Sequence, residues 1–222
     1  EPHMGHANTA LLCDVLARFP ASLGEETYFR TGTDENSEKI IQAAQKIGED
    51  PKKYLDKTVQ RFKDVYAQLD IASSQFIRTS DQDVHWPGAL AMWQRLAEAG
   101  DLYKAPYTGL YCVGHEAFLT EKELDENGLC PDHGTAPEKV VEENWFFKLA
   151  KYAPEIEKLI LDGGLPIAPE TRKNEVLAFL NSKIEDVSFS RPAEKMTWGV
   201  PVPGDATQKM YVWMDALSNY IS

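Results

Sequence analysis

Along the first hundred residues, apolar side chains return at intervals of three and four, the spacing of one helix face, with short polar or β-type segments between. Leu11, Leu12, Val15, Leu16 and Phe19 predict a helix that starts at His3-Met4-Gly5-His6. Residues 27–31 read as a short strand. It runs into Gly32-Thr33-Asp34-Glu35-Asn36-Ser37, a polar turn opening a helix with Ile40, Ile41, Ala44 and Ile47 on one face and a stop at Gly48. Asp50-Pro51 supplies an N-cap and a first-turn proline for a long helix carrying Leu55, Val59, Phe62, Tyr66 and Leu69. Another helix is predicted over 81–99, ended by Gly100.

From Leu102 to Phe147 the texture changes to short, aromatic, glycine-punctuated segments, which reads as an inserted subdomain. Helical spacing returns over 154–161 and 169–180, followed by alternating Val187-Ser188-Phe189-Ser190 and an apparent buried strand over Met210-Tyr211-Val212-Trp213. The expected class is α/β, with residues 1–100 as the first part of one domain, 101–190 as the insertion and 191–222 as the resumption. Glu1 has neither an initiator methionine nor a lead-in strand before it, and Tyr220-Ile221-Ser222 reads as the middle of a helix, so both ends are expected to be cut.

Composition narrows the class. With 222 residues, 43% hydrophobic and 26% charged, the chain can bury the core of one or two domains. No apolar run approaches the ~18 residues of a membrane span and no export signal opens the chain, so a soluble, unexported protein is expected. A net charge of -12 opposes indiscriminate binding to phosphate backbones; DNA is not an expected partner, and RNA contacts must be local. Three cysteines do not make a disulfide framework, which favours a reducing compartment, by default the cytoplasm.

Two constellations carry chemistry. Cys112-x2-His115 and Cys130-x2-His133 are paired ligands that can grip a tetrahedral zinc from two sides. Two thiolates offset the ion's charge and four ligands close the site, so the metal is structural; Pro131 and Gly134 add the turn chemistry of a knuckle spanning about 111–135. The alternative is two buried cysteines with unrelated surface histidines. The other constellation, His3-Met4-Gly5-His6, sets two imidazoles around a glycine at a helix start, where backbone N–H groups and the helix dipole favour phosphate. A motif of four residues also fits a tag remnant. His85 and Cys13 remain unassigned, with structural roles expected.

Taken in order, Glu1-Pro2-His3-Met4-Gly5-His6-Ala7, Thr31-Gly32-Thr33-Asp34-Glu35, Gly109 to Val113 with Glu116-Ala117-Phe118, and Glu142 to Leu149 resemble the methionyl branch of the class I aminoacyl-tRNA synthetases. Arg172 to Val176, Ser190-Arg191, Trp198 to Asp205 and Tyr211 to Leu217 extend the resemblance over nearly the whole chain. It implies a Rossmann-like catalytic domain split by a zinc-bearing connective peptide. The activity implied is activation of L-methionine with ATP, as its Mg2+ complex, and transfer to tRNA(Met). His3, Gly5 and His6 would then bind ATP, with His3 and His6 stabilising the reacting α-phosphate. Asp34 would receive the methionine ammonium, Trp213, Ala216, Leu217 and Tyr220 would line the thioether pocket, and Arg191 would serve near the active site.

The chain departs from the family in carrying His115 where cysteine is common, a change zinc tolerates. By the same resemblance, a strand of the methionine pocket lies before Glu1, and the lysine-rich second ATP signature and the anticodon-binding helices lie beyond Ser222, so the chain as it stands should not aminoacylate tRNA. Open alternatives are another class I synthetase and a zinc-stabilised interaction module.

Overall fold

In the computed structural model, which describes residues 2–115, 117–119 and 121–221, helices and short strands alternate through the first hundred residues. Helix α1 (Met4–Ser22) is followed by β1 (Arg30–Thr33), α2 (Glu38–Lys46), α3 (Pro51–Gln68), β2 (Gln75–Arg78) and α4 (Trp86–Glu98). Asp50 caps α3, its carboxylate accepting the Lys53 N–H at 3.1 Å, with Pro51 in the first turn. Strands β1 and β2 pair in parallel, Arg30 opposite Gln75 through Thr33 opposite Arg78, with α2 and α3 as the crossover between them. At Gly32 the partner strand comes so close that a Cβ would lie 2.1 Å from the Ile77 carbonyl oxygen.

The aromatic stretch forms two long antiparallel strands, β3 (Leu102–Cys112) and β5 (Glu138–Phe147), paired from Leu102 opposite Phe147 to Tyr111 opposite Glu138. Strand β4 (Ala117–Leu119) flanks β3, and β6 (Val187–Ser188) flanks β5. Helices α5 (Leu149–Leu161) and α6 (Glu170–Leu180) connect them. A smaller sheet of β7 (Ser190–Pro192), β9 (Asp205–Met210) and β8 (Pro201–Val202) then leads into α7 (Val212–Ser218). The principal core joins the parts: Ala89 and Trp93 of α4 pack with Leu102, Val200, Val202, Met210 and Met214. Trp145 meets Trp93 edge to face at 6.1 Å.

Several sequence expectations are corrected. The segment 210–213 is not one strand: β9 ends at Met210, and Trp213 belongs to α7. A short apolar run carries no period that separates a buried strand from a buried helix turn. The helix expected from residue 81 begins at Trp86, because the Asp81 carboxylate accepts the N–H groups of Asp83 and Val84 and closes a turn first. The strand expected over 27–31 sits at Arg30–Thr33, and β2 had no counterpart in the sequence reading. Helix α1 forms where its apolar row places it, with that row turned outward: Leu16 is 72% exposed, Val15 and Phe19 to similar degrees, and the helix buries Ala10 and Asp14. Glu1, Glu116, Thr120 and Ser222, two of them within quoted resemblance segments, lie outside the described residues.

Gly32→Ala should cost about 1–3 kcal/mol, because the new methyl must push β1 away from the Ile77 carbonyl. Urea denaturation of the purified chain measures it, and an unchanged midpoint would contradict the close strand contact.

Candidate functional site

Helix α1 is capped by its own histidines. The Gly5 N–H donates to His3 Nδ1 at 3.1 Å, and the His3 N–H donates to His6 Nδ1 at 3.2 Å, a reciprocal cap with imidazoles in place of the usual hydroxyl and carboxylate. In a neutral imidazole, an accepting Nδ1 leaves the proton on Nε2, so each ring has an N–H donor directed away from the helix backbone. The two rings lie 3.7 Å apart, and Phe62 of α3 meets His6 edge-on at 5.1 Å. Burial, followed by the neighbouring His3, lowers the His6 pKa and favours that neutral form.

His3, Gly5 and His6 open onto one cavity of about 1060 Å³, which is also lined by Asp34, Trp213, Ala216, Leu217 and Tyr220. Eight of the nine expected ATP and substrate residues therefore meet in one place. Trp213 is 49% exposed, its ring on the cavity side of α7, while Val212, Met214, Asp215 and Ser218 form the buried side. The unassigned Cys13 also lines the cavity.

The ninth residue, Arg191, is not among the lining residues. It is buried between two aromatic rings, its guanidinium carbon 3.9 Å from the Tyr211 ring centre and 5.5 Å from that of Tyr111. Its Nη1 donates to Ser188 Oγ at 2.7 Å and to the Ser190 carbonyl at 2.8 Å.

The buried polar layer beneath the cavity lining was not foreseen from the sequence. Asn36 Nδ2 donates to the Thr79 carbonyl at 2.9 Å and to Asp215 Oδ2, and both Asn36 and Asp215 are wholly buried. Beside them Glu35, also buried, accepts two bonds from Arg78 Nε and Nη2, at 2.9 and 3.0 Å, and others from the hydroxyls of Thr33 and Ser80. Burial, the Asn36 hydrogen bond and the nearby charge of Asp34 act together on Asp215, and burial wins, raising its pKa to about 8. His85, at the start of α4 and fully buried, has its pKa lowered by burial. The one available sequence signal was an aspartate inside the apolar run Val212-Trp213-Met214-Asp215-Ala216-Leu217.

Away from the cavity, at the end of β3, Cys112, His115, Cys130 and His133 converge so that one ligand atom from each lies within 4.8 Å of the others, a group that could hold a metal ion. Cys130 Sγ lies 3.5 Å from His115 Nδ1 and 3.4 Å from His133 Nδ1, and Cys112 Sγ lies 3.8 Å from His133 Nδ1. His115 Nε2 bonds the Asp132 carboxylate at 2.9 Å, which raises the His115 pKa. At Gly114 a Cβ would lie 2.4 Å from the His133 ring, so the approach of the two ligand pairs requires glycine there.

Residues 1–139 and 127–222 match the family model of tRNA synthetases class I (M). The chain belongs to that family. It is 42% identical over 221 residues to a methionine–tRNA ligase of Clostridium tetani, an alignment that covers 99% of this chain and 34% of that protein. The crystal structure of Mycobacterium tuberculosis methionyl-tRNA synthetase bound by methionyl-adenylate superposes with a TM-score of 0.93 at 36% identity, covering 99% of this chain and 44% of the other. The free form of that enzyme gives 0.80 at 34% identity, covering all of this chain and 42% of that one. The fold is thus the α/β catalytic fold of class I synthetases, and the chain spans about a third of the length of the curated relative. Among the described residues no helix is long and apolar enough to cross a membrane.

A carboxyl group with a folded-state pKa near 8 and an ordinary value of 3.8 binds its proton more tightly in the folded chain than in the unfolded one. Stability tied to it is complete below about pH 4 and is lost as pH rises toward 8. Asp215→Asn keeps the shape without the titration, so its thermal midpoint should gain on the wild type progressively from pH 5 to pH 8. A gap that stays constant over that range would exclude the buried, protonated carboxyl.

Proposed function

We propose that this chain contributes the methionine-activating part of a methionine–tRNA ligase, which forms methionyl-adenylate from L-methionine and ATP and passes the methionyl group to tRNA(Met). The carrying observation is the single cavity that joins the His3 and His6 donors, the Asp34 carboxylate and the apolar face of α7. The substrate carboxylate attacks the α-phosphate and pyrophosphate leaves, so no covalent enzyme residue is needed and the protein's part is positioning and charge stabilisation. Asp34 holds the ammonium group. Trp213, Ala216, Leu217 and Tyr220 enclose the thioether, where an aromatic edge favours sulfur and a close apolar wall disfavours polar amino acids. The Nε2–H groups of His3 and His6 bond the phosphate as charge grows on it, and Gly5 keeps their helix turn open to the nucleotide. ATP would enter as its Mg2+ complex, and the bound metal would offset part of the phosphate charge. Arg191 acts from beneath, holding Tyr211 and with it the start of α7, which supports a placement near the active site without substrate contact.

We further infer that residues 101–190 are a connective-peptide insertion, with a zinc knuckle at about 111–135, between the halves 1–100 and 191–222 of the catalytic domain. A tetrahedral site with Zn–S of about 2.3 Å and Zn–N of about 2.0 Å has ligand edges of roughly 3.6 Å, and the sulfur–nitrogen separations of 3.4 to 3.8 Å fit that size. Asp132 behind His115 is the carboxylate–histidine arrangement that orients a metal ligand. Zinc would cross-link the two pairs and hold the tip of the β3–β5 sheet. The three unbridged cysteines support a reducing, cytoplasmic setting.

The full-length gene product should exchange labelled pyrophosphate into ATP only when methionine is present, and Asp34→Ala should lower kcat/KM for methionine about 10- to 100-fold, the loss of a charge-assisted bond. Exchange driven by another amino acid, or none at all, overturns the assignment. For the metal, the purified protein should contain one zinc per chain, and Cys112→Ser with Cys130→Ser should contain none and melt at a lower temperature. A wild-type protein free of zinc after growth in zinc-replete medium contradicts the knuckle.

A further inference from the structure

Helix α7 has only seven residues, too few to hold its own place, so its position is set by what it is bonded to. Its cavity-facing residues Trp213, Ala216 and Leu217 have between them, on the buried side, Asp215. Asp215 Oδ2 accepts from Asn36 Nδ2, and the same amide donates to the Thr79 carbonyl at 2.9 Å. Thr79 in turn fixes the turn that presents Asp34. The Thr79 N–H donates to the Thr33 carbonyl at 3.2 Å, and the Glu35 N–H donates to Thr79 Oγ1 at 2.8 Å, so the residues on both sides of Asp34 are bonded to one buried threonine. The acidic and apolar walls of the cavity are therefore connected through the Asn36 side-chain amide, in addition to the Arg30 guanidinium of β1, which donates to the Asn219 carbonyl at the far end of α7. Neither Asn36 nor Asp215 lines the cavity itself.

We propose that Asn36 and Asp215 are a positioning pair that sets the separation between Asp34 and the Trp213 wall, and through it the fit of the amino-acid substrate. This rests on the methionine-activating reading above. The pair works with Asp215 protonated, since among the described residues its buried carboxyl makes no ion pair and it lies within the field of Asp34. An asparagine at 215 offers the same acceptor to Asn36, whereas an alanine at either position removes the tie and leaves a buried polar group without its partner.

Pyrophosphate exchange by the full-length protein, with methionine and ATP varied separately, tests this. Asn36→Ala and Asp215→Ala should each raise the KM for methionine about tenfold, with the KM for ATP within about twofold of wild type and kcat little changed, as loss of one buried hydrogen bond implies. Asp215→Asn should restore the wild-type KM for methionine. The double alanine variant should be no worse than the worse single one, because the two side chains act through one bond. Where Asn36→Ala fails to fold, Asn36→Ser, which cannot reach both acceptors, replaces it. The proposal is overturned by an unchanged KM for methionine, by equal losses for methionine and ATP, by Asp215→Asn matching Asp215→Ala, or by additive effects in the double variant. A wild-type protein without methionine-dependent exchange would instead remove the functional reading beneath it.

Discussion

Thr79 stands at the junction of four segments: the end of β2, the turn after β1, the start of α4 and, through Asn36, helix α7. Its carbonyl accepts from Asn36 and, at 3.2 Å, from the indole of Trp86, while its N–H and hydroxyl hold the residues on either side of Asp34. A parallel pair of four-residue strands is too small to hold such geometry by its ladder alone. Buried polar groups that bond one another supply the missing definition, because any other arrangement would leave them without partners in a region closed to water. The Glu35 carboxylate, gripped by the Arg78 guanidinium and two hydroxyls, extends the same logic one residue further. Its charge is matched and every neighbouring bond has a definite direction.

Upon this floor the cavity divides into a polar and an apolar half, and the division follows helix periodicity. In α7 the spacing 213, 216, 217 faces the cavity and 214, 215, 218 faces the core. Met214 contributes to the principal core with Trp93 and Met210, so the same helix turn that shapes the cavity also seals the interior. Arg191, stacked on Tyr211 just before α7 and facing Tyr111 just before Cys112, links the helix to the sheet that carries the metal-type cluster. The two constellations read separately in the sequence are joined by one buried cation between two rings.

The long amphipathic helices α2 and α3, the cap at Asp50 and the four metal-type ligands were legible because each depends on local spacing. The convergence of His3, Asp34 and Trp213 came from resemblance, since no local pattern reports contacts across more than two hundred positions. Strand β2 escaped notice because four residues with one buried position carry almost no period. The row on α1 predicted its helix correctly, and its exposure shows that spacing says which side chains share a face and nothing about what packs against it. Asn36 gave no local sign and Asp215 only its place in an apolar run, because the pairing of buried polar residues is defined by a partner far away in the chain.

The opening histidine motif also reads differently once its hydrogen bonds are known. A helix start attracts phosphate through unpaired N–H groups, yet here the Gly5 and His3 N–H groups are already bonded to imidazole nitrogens. Under the reading proposed above, the phosphate would be met by the two Nε2–H groups of these cavity-lining rings. Those donors would then depend on the neutral tautomer that each cap bond selects. The paired histidines thus act in sequence, His6 holding the His3 N–H and His3 holding the Gly5 N–H, so that losing either ring would free one backbone donor of the first turn.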